Sequence, residues 1–157
     1  MSQGNFILRE PEYEALLTIL RKLLTDASAK VVFLVDKNGT LLASAGDAVG
    51  FDTTSLASLA AGNIAATGGL ASLIGEKEFS ILFHEGERDN MHLSVVAERL
   101  ILVIVFDRRS SVGLVRLRVR QATARLTAVM AVAVAASDAE LAGVEDLTEA
   151  DIESLFR

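Results

Sequence analysis

The side chains from which most catalytic and metal sites are built are scarce in this chain. His84 and His92 are its only histidines, and it has no cysteine. With Glu85 beside His84, the two imidazoles on neighbouring strands are the one candidate metal set. Lone strand histidines are more often hydrogen-bonded or surface groups, so no metal site is expected. Without cysteine, disulfides, thiolate zinc sites and thiol nucleophiles are excluded. Serines are plentiful, but no GxSxG elbow occurs and neither histidine has a context that nominates a triad. No GxxxxGK[ST] is present, and Gly62, Gly68 and Gly69 fall inside a helical pattern instead of a strand-to-helix loop, so no phosphate cradle or cofactor is expected.

Charge narrows the partners. The formal net charge is -6, yet the first 136 residues carry 14 acids and 14 bases, and 137–157 carry seven acids against Arg157. A neutral body with an acidic tail does not suit nucleic acid, which needs a basic patch to displace phosphate counterions. The four arginines from Arg116 to Arg125 read as a solvated helix face. At 157 residues and 51% apolar content the chain can bury one core, and one domain is expected. The N-terminal stretch lacks a basic start, an apolar run and a small-residue cleavage site, so a cytoplasmic location is expected.

The elements that must position any site follow from periodicity. Leu16, Leu17, Leu20, Leu23 and Leu24 form one helical face between Glu12 and Asp26, with Pro11 suited to the first turn. VVFLV and LLASAG flank Asn38-Gly39, a pair that supplies positive φ angles to a tight hairpin. Strands are predicted at Glu78 to His84, Met91 to Ala97 and Leu100 to Phe106; LILVIVF, apolar on both faces, belongs in the sheet centre. From Ser110 to Ala136 the repeat Val112, Val115, Val119, Ala122, Leu126, Val129, Ala133 and Ala136 predicts a helix. The fold class is therefore α+β: a five-stranded antiparallel sheet with packed helices in two layers, in the order α-β-β-α-β-β-β-α.

The segment Asp52 to Leu73 is the informative one, because it is helical in pattern and carries no charge between Asp52 and Glu76. Leu56, Leu59, Asn63, Ala66, Leu70 and Leu73 form a stripe expected to pack on the sheet. The opposite stripe is small: Ser58, Ala61, Gly62, Ala65, Gly68, Gly69 and Ser72. Three helical glycines cost roughly 2 to 3 kcal/mol against alanine, so a close-approach protein interface is expected on that face. A bilayer span is long enough but too polar and lacks aromatic anchors.

Residues 137–146 read as an acidic linker. Thr148 then caps a short helix, with Asp151 three residues on, whose Ile152, Leu155 and Phe156 share one face. Such a helix is marginal alone and is expected to dock in a partner's groove.

The strings AKVVFLVDKNG, DTTSLASLAAGNIAATGGLASLIGE, FHEG and LVIVFDRRSSVGLVRLRVR resemble the roadblock (dynein light chain) family, within it the bacterial gliding and polarity regulators. The likeness spans roughly Glu12 to Ala136, giving a roadblock-type domain at 1–136 and a linker with docking helix at 137–157. It implies a homodimer built by the central helices and an edge strand, with one continuous sheet across both protomers. It also implies that two protomers bind one Ras-like small GTPase of the MglA type in its GTP form and stimulate hydrolysis. The GTPase's own catalytic groups would be positioned, so this chain would be a regulator without an active site, controlling polarity and motility, enriched at a cell pole. By position, Ala61, Ala65 and Gly69 would touch the GTPase, and the Thr148 to Phe156 helix would be a second contact.

Three other functions compete: a scaffold that binds a GTPase without changing its rate, a small-ligand sensor, and an arginine finger in trans from Arg88, Arg99, Arg108 or Arg109.

Overall fold

The computed structural model describes residues 8–145, with side chains described to residue 140. Its elements are α1 (Glu10–Asp26), β1 (Val31–Asp36), β2 (Leu41–Gly46), α2 (Thr53–Leu73), β3 (Ile81–Glu85), β4 (Asn90–Val96), β5 (Leu100–Phe106) and α3 (Val112–Glu145). The order and types are those predicted from the sequence. All pairings are antiparallel, in the strand order β2-β1-β5-β4-β3, so β2 and β3 are the edges.

β5 is central and fully buried, as its two-sided apolar run requires. Its alternate residues enter two separate cores. Leu100, Leu102, Ile104 and Phe106 join Leu16, Leu20 and Leu23 of α1 and Val115, Val119 and Leu126 of α3. Ile101, Val103 and Val105 join Phe33 and the α2 residues Ala57, Ala60 and Ile64. The expected two layers are thus three, α2 on one face and the α1–α3 pair on the other. A strand apolar on both sides leaves neither face free to meet water.

The β1–β2 turn is fixed mainly by Asp36, whose Oδ1 accepts from the amides of Asn38 (2.9 Å) and Thr40 (3.0 Å). Gly39 alone there adopts positive φ, +93°, so the expectation of positive φ at both Asn38 and Gly39 holds only for the glycine. The aspartate's side-chain bonds replace the second left-handed residue. Gly46 has φ +97°, and a Cβ there would stand 2.5 Å from the Lys30 carbonyl oxygen, so only glycine fits.

α3 runs past the boundary expected at residue 136, with the backbone helical to Glu145. Residues 137–145, read as linker, continue the helix because alanine, leucine and glutamate there are good helix formers. Arg9 and Glu140 form an ion pair that ties the start of α1 to this extension. Ile152, Leu155 and Phe156 lie outside the described residues. α2 and the stretch Val112–Glu140 are each long and apolar enough to cross a bilayer, but both pack against the domain's own sheet and helix.

Candidate functional site

Asp52 starts α2 as a true cap: its Oδ1 accepts the Ser55 amide at 3.1 Å, and Ser55 Oγ donates to Oδ2 at 2.7 Å. The Ser55 hydroxyl and amide hold the Asp52 carboxyl below its ordinary pKa range. From that start the helix runs 21 residues without a charge.

Its orientation differs from the sequence-based expectation. The buried residues are Ala57, Ala60, Ile64 and Ala71. At about 100° per residue this row lies roughly 120° from the leucine stripe and roughly 110° from the small stripe. Of the stripe's leucines only Leu56 packs against the sheet-side core; Leu59 is 72% exposed, Leu70 58% and Leu73 81%. Ala57, Ala60 and Ile64 pack in one cluster with Phe33, which meets Phe51 edge-to-face at 5.9 Å.

α2 therefore shows two outward faces. One carries Leu59, Leu70 and Leu73 and continues through exposed Ile74 to half-exposed Ile81 on edge strand β3. Exposed large apolar side chains on one helix face are the kind of surface that interaction sites use. On this side Asn63 Nδ2 donates to His84 Nε2 at 2.9 Å, tying helix to edge strand.

The other face carries the small residues. Ser58, Gly62, Ala65, Gly69 and Ser72 are exposed; Ala61 and Gly68 are half-buried. A Cβ placed on Gly62, Gly68 or Gly69 would meet nothing within 4 Å, so no contact within the described residues requires glycine at any of them. Ala61, Ile64, Ala65 and Gly68 line a cleft of about 530 Å³ closed by Lys37, Lys77, Glu78 and Glu98. Lys37 and Glu78 pair across its rim at 3.0 Å. Glu98 is held there by a turn in which Ala97 (φ +53°) and Glu98 (φ +60°) are both left-handed, a conformation costing about 1 kcal/mol for each such residue.

The four charged residues of this cleft were not foreseen. Lys77 and Glu78 directly follow α2, but Lys37 and Glu98 reach the site only through the β1–β5–β4 pairing, which no local pattern reveals. The histidines, by contrast, are separated. His92 pairs with Phe83 and His84 with Met91, so the two imidazoles stand on opposite faces of the sheet. Among the described residues no group of three or more histidines and carboxylates could hold a metal.

The element order and the five-stranded antiparallel sheet agree with a known family. The Roadblock/LC7 domain model matches residues 15–106.

The chain belongs to the Roadblock/LC7 domain family.

Solved roadblock structures extend the likeness. The chain is similar to Myxococcus xanthus MglB, with 52% identity, 79% of this chain and 93% of that chain covered, and a TM-score of 0.75. It is 32% identical to the gliding protein MglB of Thermus thermophilus, covering 81% and 96% of the two chains at a TM-score of 0.74. An MglB described in a tetrameric arrangement matches at 31% identity, 81% and 96% coverage and a TM-score of 0.75. Comparison with curated proteins gives no match.

Proposed function

We propose that this MglB-like roadblock protein acts as a homodimer that binds a Ras-like small GTPase of the MglA type in its GTP form and stimulates hydrolysis. The observation that carries the reading is the uncharged outward face of α2, whose glycines serve no packing within the described residues. Retaining glycines that cost about 1 kcal/mol each makes sense where another backbone approaches closely. The two outward faces divide the work. The leucine side, with Ile74, Ile81 and the open edge of β3, builds the dimer and continues the sheet between protomers; burying each exposed leucine contributes about 2 kcal/mol. The small side, with Ala61, Ala65 and Gly69 beside the cleft, receives the GTPase.

No finger is needed in this scheme. The face offers shape and backbone proximity, which act by positioning the catalytic groups the GTPase already holds. The protein is accordingly a regulator, working in cell polarity and gliding motility in the cytoplasm and concentrated at a pole. Residues 148–156 supply a second contact to the GTPase through Ile152, Leu155 and Phe156.

The test is single-turnover GTP hydrolysis by an MglA-type GTPase with and without this protein, beside the Ala65→Arg/Gly69→Arg variant. Acceleration by the native protein that the variant loses supports activation through this face. Binding of the GTP form with an unchanged rate would replace activation by scaffolding.

A further inference from the structure

Three of the four arginines weighed as trans fingers come together, though far apart in sequence. Arg88 in the β3–β4 turn and Arg108 and Arg109 after β5 line one cleft of about 660 Å³ with Lys30, Asp89 and Asp107. Arg99 is elsewhere, in the β4–β5 turn at the opposite end of those strands. The cleft shares no residue with the one beside α2.

Its two carboxylates are already engaged. Asp107 receives Arg109 through Nε and Nη2, each at 3.1 Å, and its Oδ1 accepts the Arg109 amide at 3.0 Å. Asp89 receives Lys30 Nζ at 3.1 and 3.2 Å. Arg88 and Arg108 have no carboxylate within ion-pair distance among the described residues, and both are exposed. Four cations against two carboxylates leave two positive charges in a chain whose net charge is -6. α3 begins three residues after Arg109, and the positive end of its helix dipole adds to the same field.

We propose that this cleft recognises a phosphate group. Two guanidinium forks without a carboxylate partner among the described residues suit a doubly charged phosphate oxyanion by charge better than a singly charged carboxylate. The cleft is open to solvent and leaves room for a phosphate carried on a larger body, either a soluble phosphorylated compound or a lipid headgroup.

The full chain is titrated with inorganic pyrophosphate at low salt while backbone amide signals are followed, and in parallel is sedimented with vesicles containing phosphatidic acid. Saturable shifts confined to Lys30, Asp89 and Asp107–Ser111, with affinity reduced about tenfold or more in Arg88→Gln/Arg108→Gln, support the proposal with a soluble source. Vesicle binding lost in that variant, without pyrophosphate shifts, supports it with a lipid source. No binding of either probe, or equal binding by the variant, overturns it. Both arginines are exposed and unpaired, so the variant folds; an unchanged urea midpoint confirms this, and Lys22→Gln/Arg125→Gln, on the α1–α3 surface, controls for general charge loss. Neither probe involves a GTPase, so the result stands apart from the fate of the activator reading.

Discussion

Asn63 of α2 donates from Nδ2 to Nε2 of His84 on β3 at 2.9 Å. The amide nitrogen can only donate, so Nε2 is the acceptor in this bond. This bond couples the uncharged helix to the edge strand, the two elements assigned to the dimer. Replacing Asn63 with alanine should raise the dimer dissociation constant about tenfold and increase amide exchange in β3. An unchanged dimer constant in analytical ultracentrifugation would show that the bond does not position the edge.

The exposed leucines make a stronger prediction. Leu59→Asp/Leu73→Asp should leave the fold intact by circular dichroism, since both side chains are largely solvated. At the same time it should convert the dimer to monomers at micromolar concentration, because two charges would have to be desolvated in the interface. A dimer that survives both changes would move the interface elsewhere.

Glycines at different sites should respond with opposite sign. Gly62→Ala and Gly69→Ala add a Cβ into open space within a helix and should each stabilise the chain by about 1 kcal/mol, while reducing GTPase stimulation. Gly46→Ala should destabilise by about 2 kcal/mol or more, from positive φ and a clash with the Lys30 carbonyl. Urea unfolding decides both; a loss of stability at Gly62 or Gly69 would mean that the helix face is tightly packed in the dimer.

His92 should make stability depend on pH. Its side chain is fully buried, and among the described residues neither ring nitrogen has a hydrogen-bond partner. Burial, and secondly the nearby Arg116 charge, push its pKa below the ordinary 6.5. The unfolded chain therefore binds a proton that the folded one refuses. Stability is full above about pH 6.5 and falls as pH drops through the interval down to the folded pKa, by at most about 1.4 kcal/mol per pH unit. Urea midpoints between pH 7.5 and 5.5 should show this decline, and His92→Leu should flatten it.

The cap of α2 offers a smaller check. Asp52→Ala removes the acceptor of the Ser55 amide and should cost about 1 kcal/mol in urea unfolding. Asp52→Asn, which keeps an acceptor oxygen, should recover most of it.

Local pattern carried much of this protein. The two-sided apolar run at Leu100–Phe106 has no stable place except the middle of a sheet, and the three-four repeat of α3 names Val115, Val119, Ala122 and Leu126, all of them buried. Asp52 at the start of an uncharged stretch marks the helix start, because capping is a contact between residues three apart. Element order and the β1–β2 hairpin follow from such short-range signals; the β1–β5 pairing does not.

The rotation of α2 did not follow from them. Periodicity separates a large stripe from a small one, and hydrophobicity alone assigns the large one to the core. The packing of α2 on the sheet decides otherwise, burying Ala57, Ala60 and Ile64 against Phe33 and leaving Leu59, Leu70 and Leu73 outward. The two charged clefts are likewise tertiary facts. Lys37 reaches Glu78 across 41 residues, and Lys30 reaches Asp89 across 59, because antiparallel pairing brings strand ends together. The sequence by itself determined which elements form and which residues can be buried, since those depend on neighbours along the chain. Only the folded sheet decided which helix face is covered and which distant charges meet, since those depend on space that several elements share.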